Sequence, residues 1–504
     1  MKWKKRTVSS GQKQTTSNAY GNVHFSVQEN KEKLEEIFHQ SSDIKSREFL
    51  IPTASPVLAT LIFVDGMVSE ENINLQVMTP LLKINSEKIN DMFSYIQNEV
   101  LTTSNLKIVD TFDEAVKGIL AGLTALIVDH CNQMILVNTI QFETRSVEEP
   151  DTESTVRGSR EGFNEVLTTN TSLIRRRINH QDLLFEDFTI GKLTQTTVRI
   201  GYMHNVASQE VVAEVRRRLN HIDTDSILES GYIEQFIEDH PNSIFSTVAN
   251  SEKADKVCAK ILEGRVAILC NNTPFVLTVP HLFVESLQVP EDYYSNKFIA
   301  SFVRILRLIA LFLTLFTPGI FVAASTFHQE MVPTLLLTTM AAAEEKVPFP
   351  ILLEAILMIF IFQLLREAGV RMPRPIGSAI SIVGALVIGE SAVQAGLVGA
   401  PMVIVVALTA ITGFVVTALS NTIVILRFFL LILGGTLGLY GLLLGALIII
   451  AHACSLKSFG VPYMTPIAPI IISEWKDYPL RLSSSLYHHP RSLVKSLARY
   501  RGRG

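Results

Sequence analysis

The sequence predicts an α/β soluble region built from two similar subdomains, followed by an all-α, multi-pass transmembrane domain. Three observations carry that expectation. Charged residues are spread through 1–297 but thin to isolated positions between 308 and 451. Several uncharged runs in the second region are long enough for the roughly 20 apolar residues that a spanning helix needs. Part of the first region also repeats itself.

At 504 residues the chain is longer than one hydrophobic core usually organises. The expected division is a disordered basic tail over 1–25, α/β subdomains over 26–150 and 151–297, a multi-span helical domain over 298–455, and a basic C-terminal tail over 456–504. Residues 1–20 are basic and rich in Ser, Thr and Gln, without the apolar core of a secretory signal, so the N-terminal region is expected to stay cytoplasmic.

The repeat is seen by comparing DEAVKGILAGLTALIV (113–128) with DKVCAKILEGRVAILC (255–270). A shift of 142 residues superposes Asp113 on Asp255, Ile119 on Ile261, Gly122 on Gly264 and Ala125 on Ala267. Each block reads as an amphipathic helix closed by a C-terminal glycine and followed by a strand. Apolar runs at 134–137 and 275–279 continue both blocks, and LIFVD (61–65) and VRIGY (198–202) are strand candidates upstream. The polar segment 143–160 joins the halves.

Four runs are expected to span: 308–327, 347–365 with Glu354 inside it, one helix within 391–426, and 428–451. Residues 331–343 are too short to cross, and the glycine-rich 375–394 either crosses or re-enters. Arg304 and Arg307 precede the first run, Arg366, Arg371 and Arg374 follow the second, and the tail carries Arg481, Arg491, Lys495, Arg499, Arg501 and Arg503. With all of these on the cytoplasmic face, the number of full spans is even.

Enzyme signatures are missing: there is no GxxxxGK[ST], strand-associated GxGxxG, HExxH or GxSxG. Cys131, Cys258, Cys270 and Cys454 form no CxxC pair and have no zinc-finger spacing, so no metal and no cofactor is expected. A net charge of −4 without a basic stripe outside the tail gives no reason to expect nucleic acid.

Chemistry-bearing residues are few. An acid inside a membrane is costly unless it faces protein or water, so Glu390 reads as a pore-mouth group or as a helix-end residue. Glu354 reads as an interhelical contact or a pore liner. Ser378 and Ile382, four apart on one face of the glycine-rich segment, fit pore lining or close helix packing. Arg366, Arg371 and Arg374 form a connector that is either a plain basic loop or a coupling element. The triplets Arg175, Arg176, Arg177 and Arg216, Arg217, Arg218 suit solvated helix faces, anionic lipid headgroups or an acidic partner surface.

VRGSREGFNEVLTTNTSLIRRRI (156–178), VPEDYY (289–294), VPFPILLEAILMIFIFQLLREAGVRMPRPIGSAISIVGALVIGESAV (347–393) and SFGVPYMTPIAP (458–469) occur in this order. Together they resemble the A subunits of spore germinant receptors, the GerA family, over nearly all of the chain after about residue 50. The resemblance implies a protein of the spore inner membrane that acts with a transporter-like B subunit and a lipoprotein C subunit. It also implies a homo-oligomer forming a nutrient-gated cation channel. A solute transporter and a non-conducting scaffold are the alternatives; no repeated hydrophobic halves favour a transporter.

Overall fold

The computed structural model describes residues 19–84, 91–103, 105–141, 153, 157–371, 389–471, 475, 478, 480 and 481. Its N-terminal α/β region holds two five-stranded, wholly antiparallel sheets. The first contains β1 (Ile44–Ile51), β2 (Val57–Val64), β3 (Leu106–Val109), β4 (Thr124–Val128) and β5 (Met134–Val137), in the order β1-β2-β4-β5-β3. The second contains β6 (Leu183–Ile190), β7 (Thr196–Met203), β8 (Ala249–Ser251), β9 (Val266–Cys270) and β10 (Val276–Val279), in the matching order β6-β7-β9-β10-β8.

Central strands buried along nearly their whole length, such as β4, β5, β9 and β10, must be covered on both faces. In the first subdomain α1 (Val27–Ile37) and α2 (Phe112–Leu120) cover Ile62, Val64, Ala125 and Ile127, while Ile73, Val77, Leu81 and Ile96 cover Leu61, Leu126 and Val128 on the other face. In the second, α3 (Leu167–Arg177) and α6 (Ala254–Leu262) lie on one face, and α4 (Gln209–Asn220) and α5 (Ser230–Ile237) on the other.

The repeat extends to polar detail. Buried Asn30 closes a two-way bond with the backbone of His24 at 2.8 and 2.7 Å, and buried Asn170 does the same with Asn164 at 2.8 and 2.6 Å. Gly122 and Gly264 have φ of 93° and 92°, the left-handed C-terminal stop that glycine adopts without a Cβ penalty. Residues 20–25, expected in a disordered tail, belong to this fold: Val23 N–H bonds Asp110 C=O at 2.9 Å, and Phe112 N–H bonds Gly21 C=O at 3.1 Å. Their backbone extends the edge beside α2.

The C-terminal helical region contains α7 (Lys297–Thr326), α8 (Thr334–Glu344), α9 (Ile351–Arg371), α10 (Gly389–Gln394), α11 (Ala400–Gly413) and α12 (Ser420–Ser455). Among the described residues, two helical stretches qualify by length and composition as membrane spans, Lys297–Thr326 and Thr417–Ser455. The second of these is not straight. At Gly438 the backbone leaves helical geometry, with φ 64° and ψ −148°. Leu430 and Leu442 then share one cluster with Ala323, Leu426 and Ala453 share another with Phe245, and a Cβ on Gly445 would meet Leu430 and Leu433, so the arms 420–437 and 439–455 run antiparallel.

The span expected over 428–451 is therefore divided by a reversal, and the uncharged run 391–426 yields only the 14 residues of α11 before Gly413. Each hairpin arm reaches about 25 Å at 1.5 Å per residue. The hairpin closes on glycine: a Cβ on Gly434 would lie 2.9 Å from the Gly319 carbonyl oxygen, and one on Gly319 would lie 2.7 Å from Leu442. Close helix approach through small residues suits a lipid environment, where apolar contact alone gives little drive for association. Val322, Ala355, Met402, Val406 and Leu431 bring α7, α9, α11 and α12 into one core.

Candidate coupling site at the junction of the two regions

The entry to α7 is built on a buried acid. Asp292, 2% exposed, accepts from Arg304 Nε at 3.0 Å and Arg307 Nη1 at 2.8 Å on its Oδ2. The two arginines stand three apart on α7, on one face, and so converge on a single carboxylate. Arg307 Nη1 also donates to Leu287 C=O at 3.2 Å. Tyr293 receives the guanidinium of Arg304 at 5.3 Å and that of Arg481 at 5.5 Å. Arg481 donates to the carbonyls of Asp292, Ser295 (2.8 Å) and Tyr293 (3.0 Å), so a residue beyond the last helix is tied to the start of the first.

The exit from α12 is built on a return strand. Residues 457–458 and 461–462 pair antiparallel, and Phe459 and Val461 enter the core of the second subdomain. Ser458 Oγ donates to Thr247 C=O at 2.6 Å and accepts from His281 N–H at 3.0 Å. Phe459 N–H donates to Asp239 Oδ2 at 2.6 Å, while Arg218 pairs with the other Asp239 oxygen at 2.6 Å and lies over the Phe459 ring at 4.3 Å. Tyr463, 1% exposed, packs among Phe245, Phe283 and His281. The stretch 456–471, expected to begin a basic tail, is thus folded against the second subdomain because its apolar side chains complete that core.

The loop 243–245 reaches both ends of the hairpin. Ile244 C=O accepts from Thr422 Oγ1 at 2.9 Å, and Ser243 Oγ meets His452 Nε2 at 3.1 Å. Beside it lies a cavity of about 390 Å³ lined by Glu234, Glu238, Lys260, His281, Ser420 and Thr422 among others. Glu285 also lines it. Burial opposes ionisation of Glu285, but the Arg265 guanidinium and Lys260 ammonium override it and hold the carboxyl well below its ordinary range. Burial pushes the His281 imidazole below its ordinary range, against the opposing hydrogen bond to Glu285.

Of the residues singled out in the sequence, Glu354 is 1% exposed and its Oε1 accepts at 2.6 Å from the N–H of Gly399, the residue that caps the start of α11. Glu390 is exposed on α10 and accepts from Gln394 at 3.1 Å. Arg371 pairs with Glu367 at 2.6 Å on an exposed face, and Arg366 is half-buried. Ser378, Ile382 and Arg374 lie outside the described residues.

The arginine triplets are engaged within the chain. Arg175 has no exposure and forms a two-pronged pair with Asp43 of the first subdomain, both bonds 2.9 Å, which withdraws it from any lipid or partner surface. Arg176 and Arg177 reach Glu161 at 2.6 and 2.5 Å. Arg216 holds Glu186 at 2.6 Å, Arg217 holds Glu214 at 2.6 Å, and Arg218 bridges Glu214 and Asp239. Among the described residues no group of three His, Cys, Asp or Glu side chains could hold a metal ion.

Sequence reasoning missed Asp292, Ser458 and Asp239. For Asp292 and Ser458 the signal lay in VPEDYY and SFGVPYMTPIAP, whose polar residues flank the helical region at both ends; Asp239, in FIEDH (236–240), carried none.

Comparison with known proteins places these features in a family context. The model of the family described as Bacillus/Clostridium GerA spore germination protein matches residues 32–491. Spore germination protein KA of Bacillus subtilis (strain 168) is 43% identical over 444 residues, covering 88% of this chain and 82% of its own. YfkQ, an uncharacterized membrane protein of the same strain, is 40% identical over 457 residues, covering 90% of this chain and 88% of its own. The crystal structure of the N-terminal domain of the A subunit of the Bacillus megaterium spore germinant receptor GerK3 is similar to 53% of this chain and 98% of that one, at 32% identity and a TM-score of 0.43.

Proposed function

The chain belongs to the GerA family of Bacillus and Clostridium spore germination proteins, and from that premise we propose that it is the A subunit of a nutrient-germinant receptor. In this reading it sits in the spore inner membrane, with its N-terminal region and C-terminal tail facing the spore core. It acts with a transporter-like B subunit and a lipoprotein C subunit, and oligomerises into a nutrient-gated cation channel.

One observation carries the reading: the first and last helices of the C-terminal region are both fastened to the second subdomain, through Asp292 at the entry and Ser458, Phe459 and Tyr463 at the exit. A displacement of that subdomain is therefore a displacement of both helices. Binding on a partner gates the bundle if the two arrangements of this junction differ in their contacts with that partner.

The charge distribution supports the orientation and the ion. Arg304, Arg307 and Arg481 gather at the α/β end, as expected for a cytoplasmic face. At the other end Glu344 and Glu354 adjoin Gly399, and α10 with Glu390 packs nearby through Gly389 and Val403. Carboxylates at a mouth raise the local concentration of cations. We assign Glu390, with Ser378 and Ile382, to the conduction route.

The test is cation flux through liposomes carrying the purified full chain with its B and C partners. Germinant should open the flux, and Ile382→Trp or Glu390→Gln should reduce or reshape it. Flux indifferent to both substitutions removes the pore assignment, and saturable uptake with substrate competition would replace the channel with a transporter.

A further inference from the structure

Arg427 stands seven residues into α12 and is 5% exposed. Its Nε donates to Thr314 C=O at 3.1 Å, and among the described residues no carboxylate pairs with it. Among the described residues, the charged side chain that acts on it electrostatically is another cation, Arg366 of α9.

The missing counter-charge is not supplied elsewhere in the helical region. From 298 to 455 the acids are Glu330, Glu344, Glu345, Glu354, Glu367 and Glu390. Glu354 accepts from Gly399 at the far end of the bundle, Glu367 is held by Arg371, and Glu390 meets Gln394. Glu344 lies beside Gly399, with Glu345 next to it, and Glu330 follows the far end of α7. Residues 372–388 contain neither Asp nor Glu. A guanidinium cannot be neutralised by losing its proton, so burial without an anion is costly.

We propose that Arg427, with Arg366, is the seat of the phosphate of an anionic lipid from the leaflet nearest the α/β region. Depth favours this source. Thr314 lies seven residues beyond Arg307, about 10 Å along α7, and Arg307 is anchored at the junction by Asp292. That is a depth from which an arginine reaches the headgroup layer. A phosphate offers several acceptor oxygens to two guanidinium forks, the geometry for which arginine is suited. Gly413 lies alongside the guanidinium: a Cβ there would stand at ordinary contact distance, 3.6 Å, from Arg427 Nη2.

The proposal rests on the membrane placement given above and not on conduction, so a failed flux assay leaves it standing. The full chain is purified in mild detergent from nanodiscs of mixed phosphatidylglycerol and phosphatidylcholine, and retained lipid is read by native mass spectrometry. Wild type should retain phosphatidylglycerol preferentially. Arg427→Gln and Arg366→Gln should each weaken that preference about fivefold, and Arg427→Lys should lose less. Arg366→Gln, at a half-buried position, keeps the comparison available if Arg427→Gln does not fold. Equal retention in wild type and Arg366→Gln would overturn the proposal. So would displacement of the lipid by excess inorganic phosphate with no loss of thermal stability, which would assign the site to free phosphate. A cross-link from position 427 to a carboxylate of a partner helix would likewise replace the lipid.

Discussion

Asp43 and Arg175 lie 132 residues apart, and neither side chain is exposed. A buried pair of this kind is weak evidence of net stabilisation, but removing one partner leaves a desolvated charge, at a cost of about 3–5 kcal/mol. Asp43→Ala should therefore lower the unfolding free energy of the full chain by about that amount, measured by urea denaturation, and Asp43→Ala with Arg175→Leu should recover much of it. His281 makes a pH prediction. Its pKa is depressed by burial, so below the ordinary imidazole value of 6.5 the unfolded chain binds a proton that the folded chain refuses. Stability is full above that range and is lost as pH falls through it. Glu285, Lys260 and Lys256 act on the same ring. The melting temperature should fall on acidification from about pH 7.5 to about pH 5.5, and fall less in His281→Gln. Glu285, held far below its usual range, stays charged through that interval. At this scale the sequence was only partly legible. A run of three arginines reads as a solvated face, and nothing in the run tells that the first of them turns inward to a carboxylate in the other subdomain.

The two subdomains offer a matched pair of elements. Gly122 and Gly264 close α2 and α6 with nearly equal φ, but a Cβ on Gly264 would lie 3.0 Å from the Val206 carbonyl oxygen, whereas one on Gly122 would first meet the Ile140 side chain at 3.3 Å. Both alanine substitutions carry the left-handed penalty of about 1–2 kcal/mol. Gly264→Ala should cost more than Gly122→Ala, because a backbone carbonyl yields less readily than a side chain; thermal melts of the two variants decide it. The repeat was legible where helix period, stop glycine and strand follow in a fixed spacing. The hairpin in α12 was not, because a hydropathy run has no direction. GGTLGLYG (434–441) is as uncharged as the helices on either side, and only the backbone at Gly438 shows that the chain doubles back.

Across the whole molecule, the α/β region and the helices are joined at residues that stand far apart in the sequence. Asp292 is the economical place to break this joint without disturbing either core. Asp292→Asn leaves Arg304 and Arg307 buried against a neutral group, and the amides at the start of α7 should then exchange hydrogen faster while those of β9 keep their protection. Unchanged exchange at α7 would show that the exit contacts alone hold the junction. The division into α/β and helical parts was legible from charge density alone. The contacts that unite them were not, since the pairing of Arg481 with the carbonyls near Asp292 spans almost 190 residues.

The return of Phe459 and Val461 into the second subdomain has a consequence for biosynthesis. A ribosome that has completed residue 297 has made every strand of both five-stranded sheets, yet the apolar seam awaiting those two side chains stays open until some 160 further residues have emerged. Closure of that seam therefore reports that the intervening helices have been translated, and a product truncated within them would present an unsealed surface to the quality-control machinery of the cell.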